Sequence, residues 1–311
     1  MKPFGGLNSD DFAVYVPEKW SSNVHNLTRM RVKDAMLALC DAAQKDLKDE
    51  LLGLSRAASD EIPNIVNHKK VEAQWVYWFR DQAAREALAS FLEKTPLDGA
   101  VIFNIAPQDK HVILAVILSN TNLWVGLRLA SGAHVDRKNL SAKLSKSWER
   151  EHFAEMLKDL PDGASLGFEN SLLPSNEVHL ATLEEQGGQL EPSAPAWQLG
   201  HALPKEHVVE LGKDLPDYVA RWLGALAPFY RFVAWTRDND HIEAGKKIQE
   251  EKAQKRRQAT SYNAGDKVRI ISGMFSGKMG TVQEIDTKAQ IRVLVGKMSV
   301  VVSGTDVVPA N

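Results

Sequence analysis

Four cations and one aromatic ring near the C-terminus of this 311-residue chain have the types and spacing to grip a polyanion. Lys267, Arg269, Lys278 and Arg292 stand among apolar residues, and Phe275 lies between Gly273 and Gly277, where the chain must turn sharply. Lysine and arginine position a nucleic acid through its phosphates without reading its sequence, and an exposed aromatic ring can stack on a base. Just upstream, the run Lys255-Arg256-Arg257 adds a possible nucleic-acid-contacting arm. In the other part of the chain, Asn67-His68-Lys69-Lys70 precedes the aromatic run Gln74-Trp75-Val76-Tyr77-Trp78-Phe79-Arg80. A histidine titrates near neutrality, so His68 beside Lys69 could hold phosphate or take part in acid–base chemistry. Each residue also has a plainer reading: a solvated charge, a loop histidine, or a ring that closes the end of a core. Only the clustering carries the functional reading.

Other chemistries find no support. The chain has no nucleotide-cradling Gly-rich loop, no His-Glu-x-x-His helix and no Gly-x-Ser-x-Gly elbow. Its nine histidines show no metal spacing, and the lone cysteine, Cys40, sits on an apolar helical face as a small core residue. No metal and no cofactor is expected. Charged residues make up 25% and apolar residues 44%, the composition of an ordinary globular protein. The longest apolar stretch, Val112 to Leu118, is strand-sized and far short of a membrane span. The opening residues lack the apolar core of a secretory signal. With one cysteine, the expectation is a cytoplasmic protein away from membranes. The net charge of −2 is unevenly distributed: residues 241–311 hold twelve Lys and Arg against seven Asp and Glu, leaving about −7 on the rest. A basic end on an acidic body is the pattern of a chain that meets nucleic acid at one end.

The elements that must position these residues fall into three regions. Residues 1–236 read as an α+β domain of unknown function. A short strand is expected over Asp11–Val16, then a helix from Val24 to about Leu54 with Gly53 near its end. A strand over Val71–Phe79 and a helix over Asp81–Lys94 follow. Strands are expected at Ala100–Ile105, His111–Ser119 and Leu123–Ala130, separated by hairpin-like breaks. A long amphipathic helix is expected over Arg137–Leu160, and short strands at Ser165–Phe168, Val178–Leu183 and Trp197–Ala202. A last helix, Asp214–Thr236, carries Pro216 in its first turn and Pro228 inside, where a kink is expected. Consecutive strands without regular βαβ alternation point to α+β architecture. Residues 237–260 are polar, with Ile242 and Ile248 as their only large apolar residues, and read as a charged helical linker.

Residues 261–311 read as all-β. Val268 and Ile270 alternate with Lys267 and Arg269, the pattern of a strand with one buried face. Gly273 and Gly277 bracket a turn that favours positive φ. Gly280 opens a second strand at a point where two backbones approach closely. Strands over Gln290–Val295, Met298–Val302 and Val307–Val308 follow, with a turn at Gly296-Lys297. Five short strands in about fifty residues make a small closed barrel. The stretch Gly265-Asp266-Lys267-Val268-Arg269, with Gly273, Phe275, Gly277, Gly280 and Val282, resembles the KOW motif. It is similar in particular to the C-terminal domain of NusG-type transcription factors, over residues 262–309. The connection Gly296-Lys297-Met298 is shorter than the apolar-aromatic loop of NusG-type domains, and the body lacks their N-terminal domain.

The resemblance implies an SH3-like barrel that binds RNA, the ribosome or RNA polymerase. The whole chain would then be a non-enzymatic RNA- or ribonucleoprotein-binding protein acting in transcription or translation. The alternative is an enzyme acting on RNA or nucleotides, delivered by the barrel; convergent polar groups around His68 would favour it. At the N-terminus, Phe4-Gly5-Gly6-Leu7 followed by Asp11-Phe12-Ala13-Val14, with Met30 and the long helix behind it, resembles the uncharacterised YktB-like bacterial proteins. That resemblance implies an α+β fold and no activity.

Overall fold

The fold is taken from a computed structural model that describes residues 3–92, 106–242, 262–285, 290–303 and 306–310. The chain divides into two compact units, Met1–Ile242 and Glu243–Asn311.

The body is α+β. In chain order its elements are helices α1 (Ser9–Phe12) and α2 (Asn26–Ala43), strands β1 (Leu54–Ala58) and β2 (Gln74–Arg80), helices α3 (Gln82–Leu92) and α4 (Pro107–Lys110), and strands β3 (Val112–Leu118) and β4 (Asn122–Leu129). Helices α5 (His134–Leu144) and α6 (Ser147–Lys158), strands β5 (Ser165–Phe168) and β6 (Ser171–Pro174), helix α7 (Leu180–Gly188), strand β7 (Trp197–Pro204), and helices α8 (Lys205–Leu211) and α9 (Leu215–Val233) complete it. The seven strands form one antiparallel sheet in the order β1-β2-β3-β4-β7-β5-β6. Alternation along the central strands sends side chains to opposite faces. Val76 and Trp78 on β2, with Val112, Leu114, Val116 and Leu118 on β3, enter the main core, which also takes in Met36 and Leu39 of α2 and Trp222, Leu223 and Leu226 of α9. Tyr77, Phe79, Ile113 and Ala115 form a smaller cluster on the other face. Helix α2 packs on β2, and α9 on β3 and β4.

Several expectations are corrected. The strand over Asp11–Val16 is instead α1 followed by a 3₁₀ turn. Asn8 Oδ1 accepts from the Asp10 amide at 2.9 Å, and Asp11 reaches back to the Asn8 N–H at 2.9 Å. This capping box outweighs the β-propensity of Phe12, Val14 and Tyr15. The helix from Val24 ends at Ala43 rather than near Leu54, and Gly53, at φ +77°, turns the chain into β1. The long helix over Arg137–Leu160 is two helices. Lys146 is extended (φ −98°, ψ 129°), and the Ser145 hydroxyl donates to the Ala142 carbonyl at 2.9 Å, which closes α5 locally. The expected strand Val178–Leu183 falls largely on α7, whose Leu183, Gln186 and Gly187 are buried at helical spacing. Pro107-Gln108-Asp109 forms α4 rather than a hairpin break. The strand expected over Ala100–Ile105 lies outside the described residues. Helix α9 continues through Pro228 to Val233.

The body also extends past residue 236. Asn239 donates its side-chain amide to the carbonyls of Arg231, Phe232 and Ala234 and accepts from Lys143 Nζ at 2.9 Å. The His241 amide bonds Asn139 Oδ1 at 2.9 Å. Residues 237–242 are thus pinned to α5 and the end of α9, and are not linker. The remainder of the expected linker, 243–260, lies outside the described residues.

The C-terminal unit has strands β8 (Lys267–Ile270), β9 (Met279–Ile285), β10 (Gln290–Val295), β11 (Met298–Ser303) and β12 (Val307–Pro309). They form one antiparallel sheet in the order β11-β10-β9-β8-β12. A register shift between Arg292 and Val293 lets β9 pair with β10 and then with β8. Val268, Ile270, Val282, Ile291, Val293 and Val307 are the core, with Tyr262, Phe275, Val295 and Val302 packed against it. A Cβ on Gly280 would meet Val293 Cγ1 at 2.5 Å and the Leu294 carbonyl oxygen at 2.6 Å, so the close approach of β9 to β10 requires glycine. The unit is barrel-like, but the expected closure is absent: among the described residues no ladder joins β11 to β12. Strand β12 has three residues, all spent on β8.

Candidate functional site

On β8 the side chains alternate, so Val268 and Ile270 are buried while Lys267 and Arg269 are exposed side by side on the outer face. Lys267 lies opposite Thr281, and Arg269 opposite Met279 on β9 and Val308 on β12. Lys278 is exposed immediately before Met279, and its carbonyl accepts from the Ile270 amide at 2.9 Å, which places it at the end of the same hairpin. Among the described residues none of these three cations has an acidic partner. Asp266, the nearest acid in sequence to Lys267, accepts instead from the Asn263 amide at 2.7 Å. The apolar residues around them are unusually open: Met274 is 94% exposed, and Ile271 and Met279 are each 50% exposed. Lys267 and Arg269 thus share the outer face of β8 with Ile271 and Met279, while Lys278 stands at the end of the hairpin, opposite Ile270.

The remaining expected residues fare differently. Arg292 lies across the sheet, opposite Glu284, and the two form an exposed ion pair at 3.1 Å, so its charge is already answered. Phe275 is half-buried against the core, the plainer of its two readings, and the exposed tip of that turn is Met274. Gly273 and Gly277 have φ of +79° and +83°, as the turn demands. Lys255, Arg256 and Arg257 lie outside the described residues.

His68 and Lys69 are both exposed, in left-handed conformations of φ 53° and 60°. Their turn is held by Asn64 and Asn67: the Lys69 amide bonds the Asn64 carbonyl at 2.6 Å, and Asn64 and Asn67 each accept the other's amide. The asparagine scaffold accounts for the left-handed turn. Four cavities of the body do not include His68. Asp109, whose carboxyl burial pushes up, lies near enough for the charge of His68 to act on it.

The body's most developed polar arrangement was not visible in the sequence. Asp136, fully buried on α5, accepts from Arg80 Nη2, from the Val112 amide at 2.9 Å and from the Trp235 amide at 2.9 Å. Arg80 Nη1 lies 3.2 Å from His111 Nδ1, and Arg80 Nη2 also donates to the Trp235 carbonyl at 3.3 Å. Burial, then the Arg80 guanidinium, pushes His111 down to about 4, so its imidazole is neutral and accepts from Arg80. Two further buried arginines have carbonyl partners in place of carboxylates. Arg137 donates to Leu129, Pro195 and Ala194, and Arg29 to Ser22, Lys19 and Trp20. These networks join elements together and point no reactive group outward. Cys40 is buried, and burial raises its thiol well above the ordinary range, so it is a core residue as expected.

Among the described residues no cluster of three His, Cys, Asp or Glu could hold a metal ion, and no helix is long and apolar enough to cross a membrane. Neither a protein-family model nor a curated protein matches the chain. The protein thus joins an α+β body to a small, five-stranded antiparallel C-terminal domain that exposes Lys267 and Arg269 on the outer face of β8.

Proposed function

We propose that the chain is a binding protein of transcription or translation whose C-terminal domain docks RNA or a ribonucleoprotein surface. The observation that carries the reading is the set Lys267, Arg269 and Lys278: exposed, on one hairpin, and without acidic partners among the described residues. Its support is threefold: those cations, the resemblance of residues 262–309 to KOW domains, and the excess of positive charge at this end of the chain. The ribosome and RNA polymerase are the assemblies the resemblance brings with it. Arg292, tied to Glu284, contributes little to a phosphate grip, and Phe275 is not free to stack.

Binding of a short single-stranded RNA by the full chain, followed across a salt series, tests this. Each phosphate contact on a single strand contributes a slope of about −0.7 in log affinity against log salt. Lys267→Glu, Arg269→Glu and Lys278→Glu together should flatten the slope by about 2 and weaken binding at low salt. A slope unchanged by the triple variant would remove this face from RNA binding.

A further inference from the structure

A second site lies in the body, away from the residues that the C-terminal reading uses. A cavity of about 550 Å³ opens between the tip of the β5–β6 hairpin, α7 and the loop that leads into β7. On α7, Thr182, Glu185, Gln186 and Gln189 recur at i, i+3, i+4 and i+7, so one stripe of the helix lines it. Gln186 and Phe168 are the buried residues of the lining and make its floor; Asn170, Glu185, Gln189 and Glu191 are exposed at its rim. Gln186 is only 7% exposed. Its Oε1 accepts from the buried Trp197 Nε1 at 2.8 Å, which fixes the orientation of the carboxamide. The other end, Nε2, has no acceptor among the described residues, yet it is not sealed in: it keeps surface on the cavity that Gln186 lines. A Cβ at position 167 would stand 3.4 Å from that nitrogen, so Gly167 leaves the space beside it open.

The lining narrows the guest. Among the described residues it holds no Lys, Arg or His, so an anion would lose its hydration without a counter-charge. The rim supplies acceptors. Glu185 takes Gln189 Nε2 at 3.1 Å and has oxygen lone pairs to spare, and the Glu191 carboxylate has no partner among the described residues. A bare ammonium would suit the rim but leave Gln186 Nε2 without an acceptor. The guest must therefore accept a hydrogen bond at the floor and donate at the rim, and a hydroxyl does both. Phe168 sets an apolar ring beside Gln186 for the guest's C–H groups. A cavity of this volume, with a few convergent polar groups, is the usual form of a small-molecule site. We infer that it binds a monosaccharide, one hydroxyl accepting from Gln186 Nε2 and others donating to Glu185 and Glu191. The inference does not rest on the function proposed for the C-terminal domain.

Glucose, galactose, mannose and N-acetylglucosamine are the probes, with methylammonium as the cationic control, and the readout is the side-chain amide resonance of Gln186 in the full chain. Gln186→Glu assigns that resonance, since it keeps an oxygen for Trp197 Nε1 and removes the donor. At least one sugar should shift it saturably, with methylammonium about ten-fold weaker or more because it leaves that donor unpaired. Glu191→Ala, at the exposed rim, should weaken that sugar about ten-fold through the lost charged acceptor. Thr182→Trp, which fills the cavity from α7, should abolish the shift. The proposal is overturned if no sugar moves the Gln186 resonance in the folded wild-type chain, if methylammonium binds as well as the best sugar, or if either folded variant, Glu191→Ala or Thr182→Trp, binds that sugar unchanged.

Discussion

The carboxylate of Asp136 takes hydrogen bonds from three parts of the chain: the end of β2, the start of β3 and the residues after α9. Its ion pair with Arg80 leads on to His111, whose neutral ring accepts from the same guanidinium. This gives the body a specific acid sensitivity. An unfolded histidine titrates near 6.5, whereas buried His111 titrates at about 4. Between those values the unfolded chain binds a proton that the folded chain refuses, so this stability is present above pH ~6.5 and lost as the pH falls toward ~4. The loss should be about 3 kcal/mol. His111→Gln keeps an acceptor for Arg80 but does not titrate. Urea unfolding at pH 7 and pH 4.5 should therefore show a smaller loss in the variant than in the wild type; equal losses would disprove the assignment. None of this was legible in the sequence. His134-Val135-Asp136-Arg137-Lys138 looks like a solvated helix face, and Arg80 is 56 residues from its partner.

At the scale of elements, the C-terminal sheet separates two uses of glycine. Gly277 has open space around its α-carbon but a φ of +83°, while a Cβ on Gly280 would strike the Leu294 carbonyl oxygen, which the β9–β10 ladder holds in place. Alanine at position 277 should cost about 1 kcal/mol through the left-handed backbone. Alanine at position 280 should cost about 2 kcal/mol or more through overpacking. Amide spectra of the two variants should show the C-terminal domain intact in Gly277→Ala and lost or severely shifted in Gly280→Ala. The reverse order would mean that the turn, and not the strand crossing, limits this fold. The contrast also explains which elements could be read in advance. The C-terminal strands announce themselves because glycine spacing and strict alternation act locally, and Gln290–Val295 falls where expected. In the body, β2, β3, β4, β5 and α9 were legible from long apolar or alternating runs. The misses lie where a short polar cue decides. The Asn8–Asp11 capping box made a helix of an apparent strand, and the Ser145 hydroxyl divided one amphipathic run into two helices.

For the molecule as a whole, what matters is that the two units have separate cores. Among the described residues, the body's two clusters contain none beyond Ala234, and the C-terminal cluster none before Tyr262. With six buried apolar side chains among the described residues, the C-terminal unit has a much smaller core than the body, and domains of this size are marginal. Its charge sets it apart as well: residues 243–311 carry about +5 and the rest about −7. A polyanion that reaches the cations on β8 therefore approaches a chain whose larger part repels it. At low ionic strength, where the Debye length is about 30 Å, that repulsion acts over a domain's width; at 0.15 M it is confined to about 8 Å. A fragment of residues 243–311, once shown to be folded by its amide spectrum, should bind single-stranded RNA more tightly than the full chain at low salt. The two affinities should converge near physiological ionic strength. Tighter binding by the full chain at all salt concentrations would mean that the body contributes contacts of its own and that the RNA surface is larger than the β8–β9 hairpin.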